Sequence, residues 1–259
     1  MQRFIGSLLG IAVVVFIFIQ FIGAQSDVAV SDLFPEATQT PSATSVEETT
    51  APVAQEPAPV EAAAPGGIED IQITPVKRIP AYDRKAQFTP GGKGDDWPDV
   101  DGNGCETRDD ILVRDLTNVV KRDACVVVTG TLADPYTGKT IDFVKDIYVD
   151  GKKTGGNSMA VQIDHVVSLK SAWVSGADTW TQEQRVAFAN DPANLIASDG
   201  PTNGSKNAKT AAEWMPSVAG NAAYDCTYST KYTEVLVKYN LTATAEDIAA
   251  LKAGLATCG

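Results

Sequence analysis

The chain has 259 residues, 44% of them hydrophobic, enough for one sizeable core or for one core with an extended appendage. Its formal net charge of −12 divides into 6 basic against 13 acidic residues over 1–100 and 15 against 20 over 101–259. That balance excludes a broad basic platform gripping many phosphates, so a nucleic-acid partner would have to be held by a bound cation and a few local basic groups.

Residues 4–22 run for 19 positions without a charge after Arg3, and about 20 such residues suffice to cross a bilayer. The segment predicts export, with the protein either released outside the cell or anchored to the outer face of the cytoplasmic membrane. Ile22-Gly23-Ala24 offers only an approximate small-residue cleavage site, so a cleaved signal peptide and a retained anchor both stay open. Residues 24 to about 75 are rich in Ala, Pro, Thr, Glu and Val and contain no Trp, Tyr, Cys, Lys or Arg. Such a composition cannot bury enough apolar area to fold and reads as a disordered tether over 25–75.

A folded domain is expected from Val76 to Gly259. It begins with an irregular arm over 76–98, marked by Pro80, Pro90, Gly91, Gly92 and Gly94. Arg108–Val120 carries Ile111, Leu112, Leu116, Val119 and Val120 at helical spacing and predicts an amphipathic helix. Cys125–Leu132 is β-branched, turns at Asp134-Pro135-Tyr136-Thr137-Gly138, and is expected to return as a second strand over Thr140–Val149. Met159–Val167 predicts another strand. Thr181–Asn190 predicts a short helix with Thr181 as N-cap and Gln184 three positions on, and Asn194–Ala197 a short apolar strand. Residues 203–214 form a polar helix candidate. Thr230–Tyr239 and Ala245–Ala256 supply two more helices, the last capped by Thr244 with Asp247 returning the interaction. No internal repeat is present, and the order predicts an α+β domain.

All four cysteines, Cys105, Cys125, Cys226 and Cys258, lie beyond the tether. An exported domain meets an oxidising compartment, so two disulfides are expected. Three pairings are open, and proximity along the chain favours Cys105 with Cys125 and Cys226 with Cys258. Their spacing does not suit a structural zinc site.

The sole histidine, His165, follows Asp164 at the end of an apolar strand signal. A neutral imidazole beside a carboxylate can accept a proton near neutral pH, although the dipeptide by itself is most often structural. Its meaning comes from its place in a longer order: a strand with Asp164-His165, an insert, a second strand opening at Asn194, then Asp199-Gly-Pro-Thr-Asn203-Gly-Ser-Lys206 entering a helix. This order resembles the ββα-metal, or HNH, nuclease fold.

The resemblance implies that Asp164 and Asn203 hold one divalent cation, magnesium foremost and manganese next. It makes His165 the general base, Asn194 the residue that orients the loop and His165, and Lys206 a catalytic helper contacting phosphate. Such chemistry needs an activated water, stabilisation of charge on the phosphorane and help for the leaving oxygen. A hard cation on oxygen ligands supplies the last two, and a base of this kind is typically worth about 10²–10⁴-fold in rate.

A narrower branch is matched by NGCETRDDILVRDL at 103–116, DPYTG at 134–138, QIDHVVSLKSAW at 162–173, SGADTW at 175–180 and the long block at 185–214. Together with the terminal cysteine region these resemble the exported actinobacterial HNH proteins related to the C-terminal nuclease domain of GmrSD-type restriction proteins. Asn203 stands where the HNH name has its final His, and Ser168 where many such proteins have Pro. The implied substrate is DNA, with RNA as the alternative, cut with little sequence specificity by a monomer.

Arg108 is a further candidate for a substrate phosphate, or else a structural partner of Asp109 or Asp164. Lys170 and Lys209 are ordinarily solvated lysines, and Trp173 and Trp180 are expected in the core rather than as stacking platforms. Residues 99–110 overlay a calcium loop of alternating ligands, but the family block accounts for the same residues. Two readings compete with a nuclease: an exported binding module without catalysis, and a calcium-stabilised cell-surface interaction protein.

Overall fold

A computed structural model describes residues 67–75, 82–92 and 97–259. The apolar run at 4–22, and with it the choice between anchor and signal, lies outside the described residues, as does most of the expected tether. Among the described residues no helix is long and apolar enough to cross a membrane. Ordered structure starts upstream of Val76: Ile71 is buried, and Ile73 bridges Ala243 in parallel, so this stretch is an edge of the folded unit and not tether.

After a short helix in the arm, α1 (Arg84–Phe88), the first long element is α2 (Thr107–Asp115), which buries Ile111 and Leu112. The helix predicted to reach Val120 stops at Leu116, where the backbone turns extended, and continues as strand β1 (Leu116–Lys121). The segment LTNVVK is β-branched and pairs antiparallel with β2 (Val127–Ala133), so sheet formation overrides a helical apolar spacing. β2 pairs in turn with β3 (Thr140–Val144) across the predicted Asp134–Gly138 turn.

The strand expected over Thr140–Val149 breaks after Val144. Asp146 and Ser158 exchange hydrogen bonds there, and β4 (Ile147–Val149) leaves the sheet to form a separate ribbon with β5 (Lys152–Gly155). That ribbon turns at Asp150-Gly151, both at positive φ, the conformation an Asp-Gly hairpin favours.

A third antiparallel pair joins β6 (Val161–His165) to β7 (Leu195–Asp199), setting Asp164 opposite Ile196 and His165 opposite Leu195. Between them run α3 (Leu169–Val174) and α4 (Gln182–Ala189), the latter opened by the predicted capping box of Thr181 and Gln184. β7 leads directly into α5 (Gly200–Lys206). This helix begins and ends earlier than the predicted 203–214, because Asp199 caps Thr202, Pro201 suits a first turn, and Asn207 adopts positive φ and stops it. The chain closes with α6 (Pro216–Ala219), α7 (Asp225–Lys238) and α8 (Ala245–Leu255), capped by Thr244 and Asp247 as expected.

Alternation along β7 serves two cores: Ile196 joins a helical core with Trp173, Phe188 and Leu236, while Leu195 and Ala197 join a sheet core with Ile111 and Leu132. Disulfides link Cys105 to Cys125 and Cys226 to Cys258. The protein is thus α+β, built of small antiparallel sheets and helices with two disulfides. Trp173 and Trp180 pack in the helical core, consistent with the core expectation.

Candidate active site

The pairing of β6 with β7 presents the end of β6 to the helix that β7 feeds. Asp164, on the buried face of β6, accepts a hydrogen bond from the Tyr136 hydroxyl at 2.6 Å and is ion-paired at 3.0 Å with Nζ of Lys206 on α5. Lys206 is fully buried and donates again to the His165 carbonyl at 2.8 Å. An ammonium in such a place is tolerable only with this much compensation. Burial raises the Asp164 carboxyl above the usual carboxylate range, while the Lys206 charge and the Tyr136 hydroxyl pull against it.

His165 is buried to 7% exposure, its Nε2 2.8 Å from the Ala189 carbonyl oxygen. A carbonyl only accepts, so Nε2 must carry the ring proton, and Nδ1 is left as the acceptor. The Trp97 ring lies stacked at 6.0 Å. Burial first, and after it the charge of Arg84, push the imidazole from 6.5 down to about 3. It is therefore neutral at physiological pH.

Asn194 is wholly buried, and its amide grips the chain just past His165: Oδ1 accepts from Val167 N at 2.8 Å and Nδ2 donates to Val167 O at 3.1 Å. Asn203, half-buried on α5, donates from Nδ2 to Gln162 Oε1 at 2.9 Å, which orients its amide oxygen the other way. Asp164, His165 and Asn203 share the wall of a cleft of about 680 Å³.

Other sequence candidates fall elsewhere. Arg108 does not line the cleft; it packs over Phe143 at 5.9 Å and reaches the Val161 carbonyl at 3.4 Å, and burial lowers its basicity while the nearby Asp109 charge opposes this, an arrangement closer to the structural reading than to a phosphate contact. Lys206 has its ammonium committed to Asp164 and His165, so no phosphate contact by it is part of this arrangement. Lys209 donates to the Ser205 carbonyl, whereas Lys170 does line the cleft. In the calcium-like loop Asp99 accepts from Gly102 N and Gly104 N, so its oxygens serve the loop's own backbone.

Three contributors carried no recognisable sequence signal of their own. Tyr136, in the turn block DPYTG, reaches Asp164 from the hairpin. Tyr82 and Arg84 enter the cleft from the arm. Their roles come from tertiary docking, which spacing along the chain does not encode.

For a metal ion, no group of three or more His, Cys, Asp or Glu side chains suited to one exists among the described residues. What the cleft offers is the Asp164 carboxylate and the amide oxygens of Asn203 and Asn207, the donor type hard cations prefer. Asp164 Oδ1 accepts from Lys206 at 3.2 Å, and a carboxylate oxygen so engaged can still face a cation. The donor set fits a hard cation that draws most of its shell from water and phosphate, next to a carboxylate already half-neutralised by Lys206.

The family model of GmrSD restriction endonucleases, C-terminal domain, matches residues 106–253. An uncharacterized secreted protein of Arthroderma benhamiae is 37% identical over 164 residues, covering 62% of this chain and 72% of the relative. No solved structure matches the chain.

Proposed function

The chain belongs to the family of GmrSD restriction endonuclease C-terminal domains, and from that premise we propose that it is an exported, metal-dependent endonuclease of the HNH type, hydrolysing phosphodiester bonds of nucleic acid, DNA foremost, with little sequence specificity. The observation that carries this reading is the neutral His165 on the cleft wall, its proton fixed on Nε2 by the Ala189 carbonyl. Nδ1 is then the atom that takes a proton from the attacking water.

Asn194 keeps His165 in place by clamping the chain behind it. Asp164 and the amide oxygen of Asn203 would hold the cation, magnesium or manganese; when bound it supplies stabilisation of charge on the phosphorane and on the leaving oxygen. Lys206 and Tyr136 fix the Asp164 carboxylate, so Lys206 positions a ligand in this reading. Export is supported by two disulfides and by the word secreted in the relative's name.

A second reading, a member that binds nucleic acid without cutting it, is favoured by one observation: the buried ammonium already neutralises the carboxylate a metal would use. Incubating plasmid DNA and RNA with the full chain in magnesium, manganese or EDTA separates the two, beside Asn203→Ala and calorimetric titration of the metal. The nuclease reading expects metal-dependent cutting and metal binding, both reduced in Asn203→Ala. Binding of nucleic acid with no cutting in any metal would establish the second reading instead.

A further inference from the structure

Several cations of the domain that do not line the cleft are committed to protein groups. Arg114 donates to the Pro192 and Leu195 carbonyls, Arg185 to the Gln87 and Ala177 carbonyls, and Lys206 to Asp164. Arg84 and Lys170 differ: both are exposed, both line the cleft, and among the described residues neither makes a salt bridge. Arg84 sits on α1, in the arm outside the segment 106–253 that the family model matches, and Lys170 on α3. Resting on the reading of this cleft as a phosphodiester site, we infer that Arg84 and Lys170 form a pair of backbone-phosphate grips, one from each element, that hold a nucleic-acid strand at phosphates flanking the one beside His165.

The arm is held firmly enough for such a task. Phe88 is buried against Trp173 with ring centroids 6.3 Å apart, and Tyr82 packs on both rings. Gln182 donates to the Ala86 and Thr89 carbonyls, and Arg185 to the Gln87 carbonyl, so α4 fixes the arm's backbone at three points. Arg84 thus extends from an anchored helix, and its charge is felt at His165. A guanidinium suits a phosphate bidentately and an ammonium as a point charge. In a chain with 21 basic against 33 acidic residues, two cleft cations that make no salt bridge among the described residues are a local exception to the prevailing charge. Contacts of this kind read backbone and not base, so they fit a site of low sequence specificity.

The test uses the full chain with Arg84→Gln, Lys170→Gln and the double variant. Lys85→Gln serves as a control, since it removes the same charge from the same helix but from a residue that does not line the cleft. Binding of labelled single-stranded DNA, duplex DNA and RNA of one length is measured in EDTA across a salt series, with melting temperatures alongside and KM and kcat in metal. We expect each cleft variant to flatten the slope of log Kd against log salt by about 0.7–0.9. KM should rise about 5–10-fold with kcat little changed, the mark of lost uniform binding, while Lys85→Gln and all melting temperatures stay at the wild-type value.

Wild-type slope and KM in Arg84→Gln and Lys170→Gln would overturn the grip, as would an equal loss in Lys85→Gln. A wild type that binds with this pattern but never cuts would leave the grip standing and remove the nuclease reading. A wild type that binds none of the three strands would remove both.

Discussion

Lys206 has no exposed surface and satisfies a carboxylate and a carbonyl at once. Replacing it by Met strands the buried Asp164 charge, and chemical denaturation should register a loss of about 3–5 kcal/mol; a loss within experimental error would mean that the pair does not exist in solution. Tyr136→Phe removes a single donor to the same carboxylate and should cost about 1–3 kcal/mol. His165 supplies a pH test. The unfolded chain takes up a proton near 6.5 that the folded imidazole declines until about 3, so its contribution to stability is full above 6.5 and is lost as pH falls toward 3. Asp164, raised by burial, acts with the opposite sign, so the comparison is between wild type and His165→Gln, in which Asp164 is common. The melting temperature of His165→Gln should fall less steeply than that of wild type between pH 6.5 and 4; parallel curves would contradict the buried neutral imidazole. Asp164, His165, Asn194, Asn203 and Lys206 were picked out together by the resemblance of their strand, strand and helix order to the HNH fold, and the structure brings Asp164, His165 and Asn203 to one cleft. The task of Lys206 was not legible, since it depends on burial, and burial is set by how α5 docks on β6.

At the scale of elements, the junction of β7 with α5 sets the relation between Asp164 and Asn203. Gly200 occupies it because a Cβ there would lie 2.0 Å from the Met159 carbonyl oxygen. Gly200→Ala must therefore displace α5 or the turn before β6. Calorimetry should find weaker metal binding in Gly200→Ala than in wild type, with a lower melting temperature; an unchanged protein would mean that the close approach is absent. The capping boxes of α4 and α8 were readable because they consist of local contacts over four residues. The end of α2 was not, because Leu116–Lys121 has apolar residues that satisfy either period and is decided by pairing with β2. The small ribbon of β4 and β5 carried a usable signal in Asp150-Gly151, hidden by reading Thr140–Val149 as one strand.

For the whole molecule, two disulfides close loops with sequence separations of 20 and 32 residues, the first at the start of α2 and the second between α7 and the C-terminus. Loops of these lengths are worth about 3–4 kcal/mol each by constraint of the unfolded chain. Cys226→Ser with Cys258→Ser should lower the denaturation midpoint accordingly without changing how the cleft is built, since none of its lining residues lies beyond Ala208. The charge pattern shapes function at the same scale. An acidic protein gains no long-range attraction for polyanions, so a grip on nucleic acid would rest on local groups, and with only two of them binding should weaken far less with salt than for a protein with a broad basic face.

Whether the neutral His165 is the base is decided by plasmid nicking in magnesium with wild type, His165→Ala, and His165→Ala supplied with free imidazole. His165→Ala should lose about 10²–10⁴-fold in rate, and imidazole should restore part of it. Cutting by His165→Ala at the wild-type rate would contradict the role given to this residue.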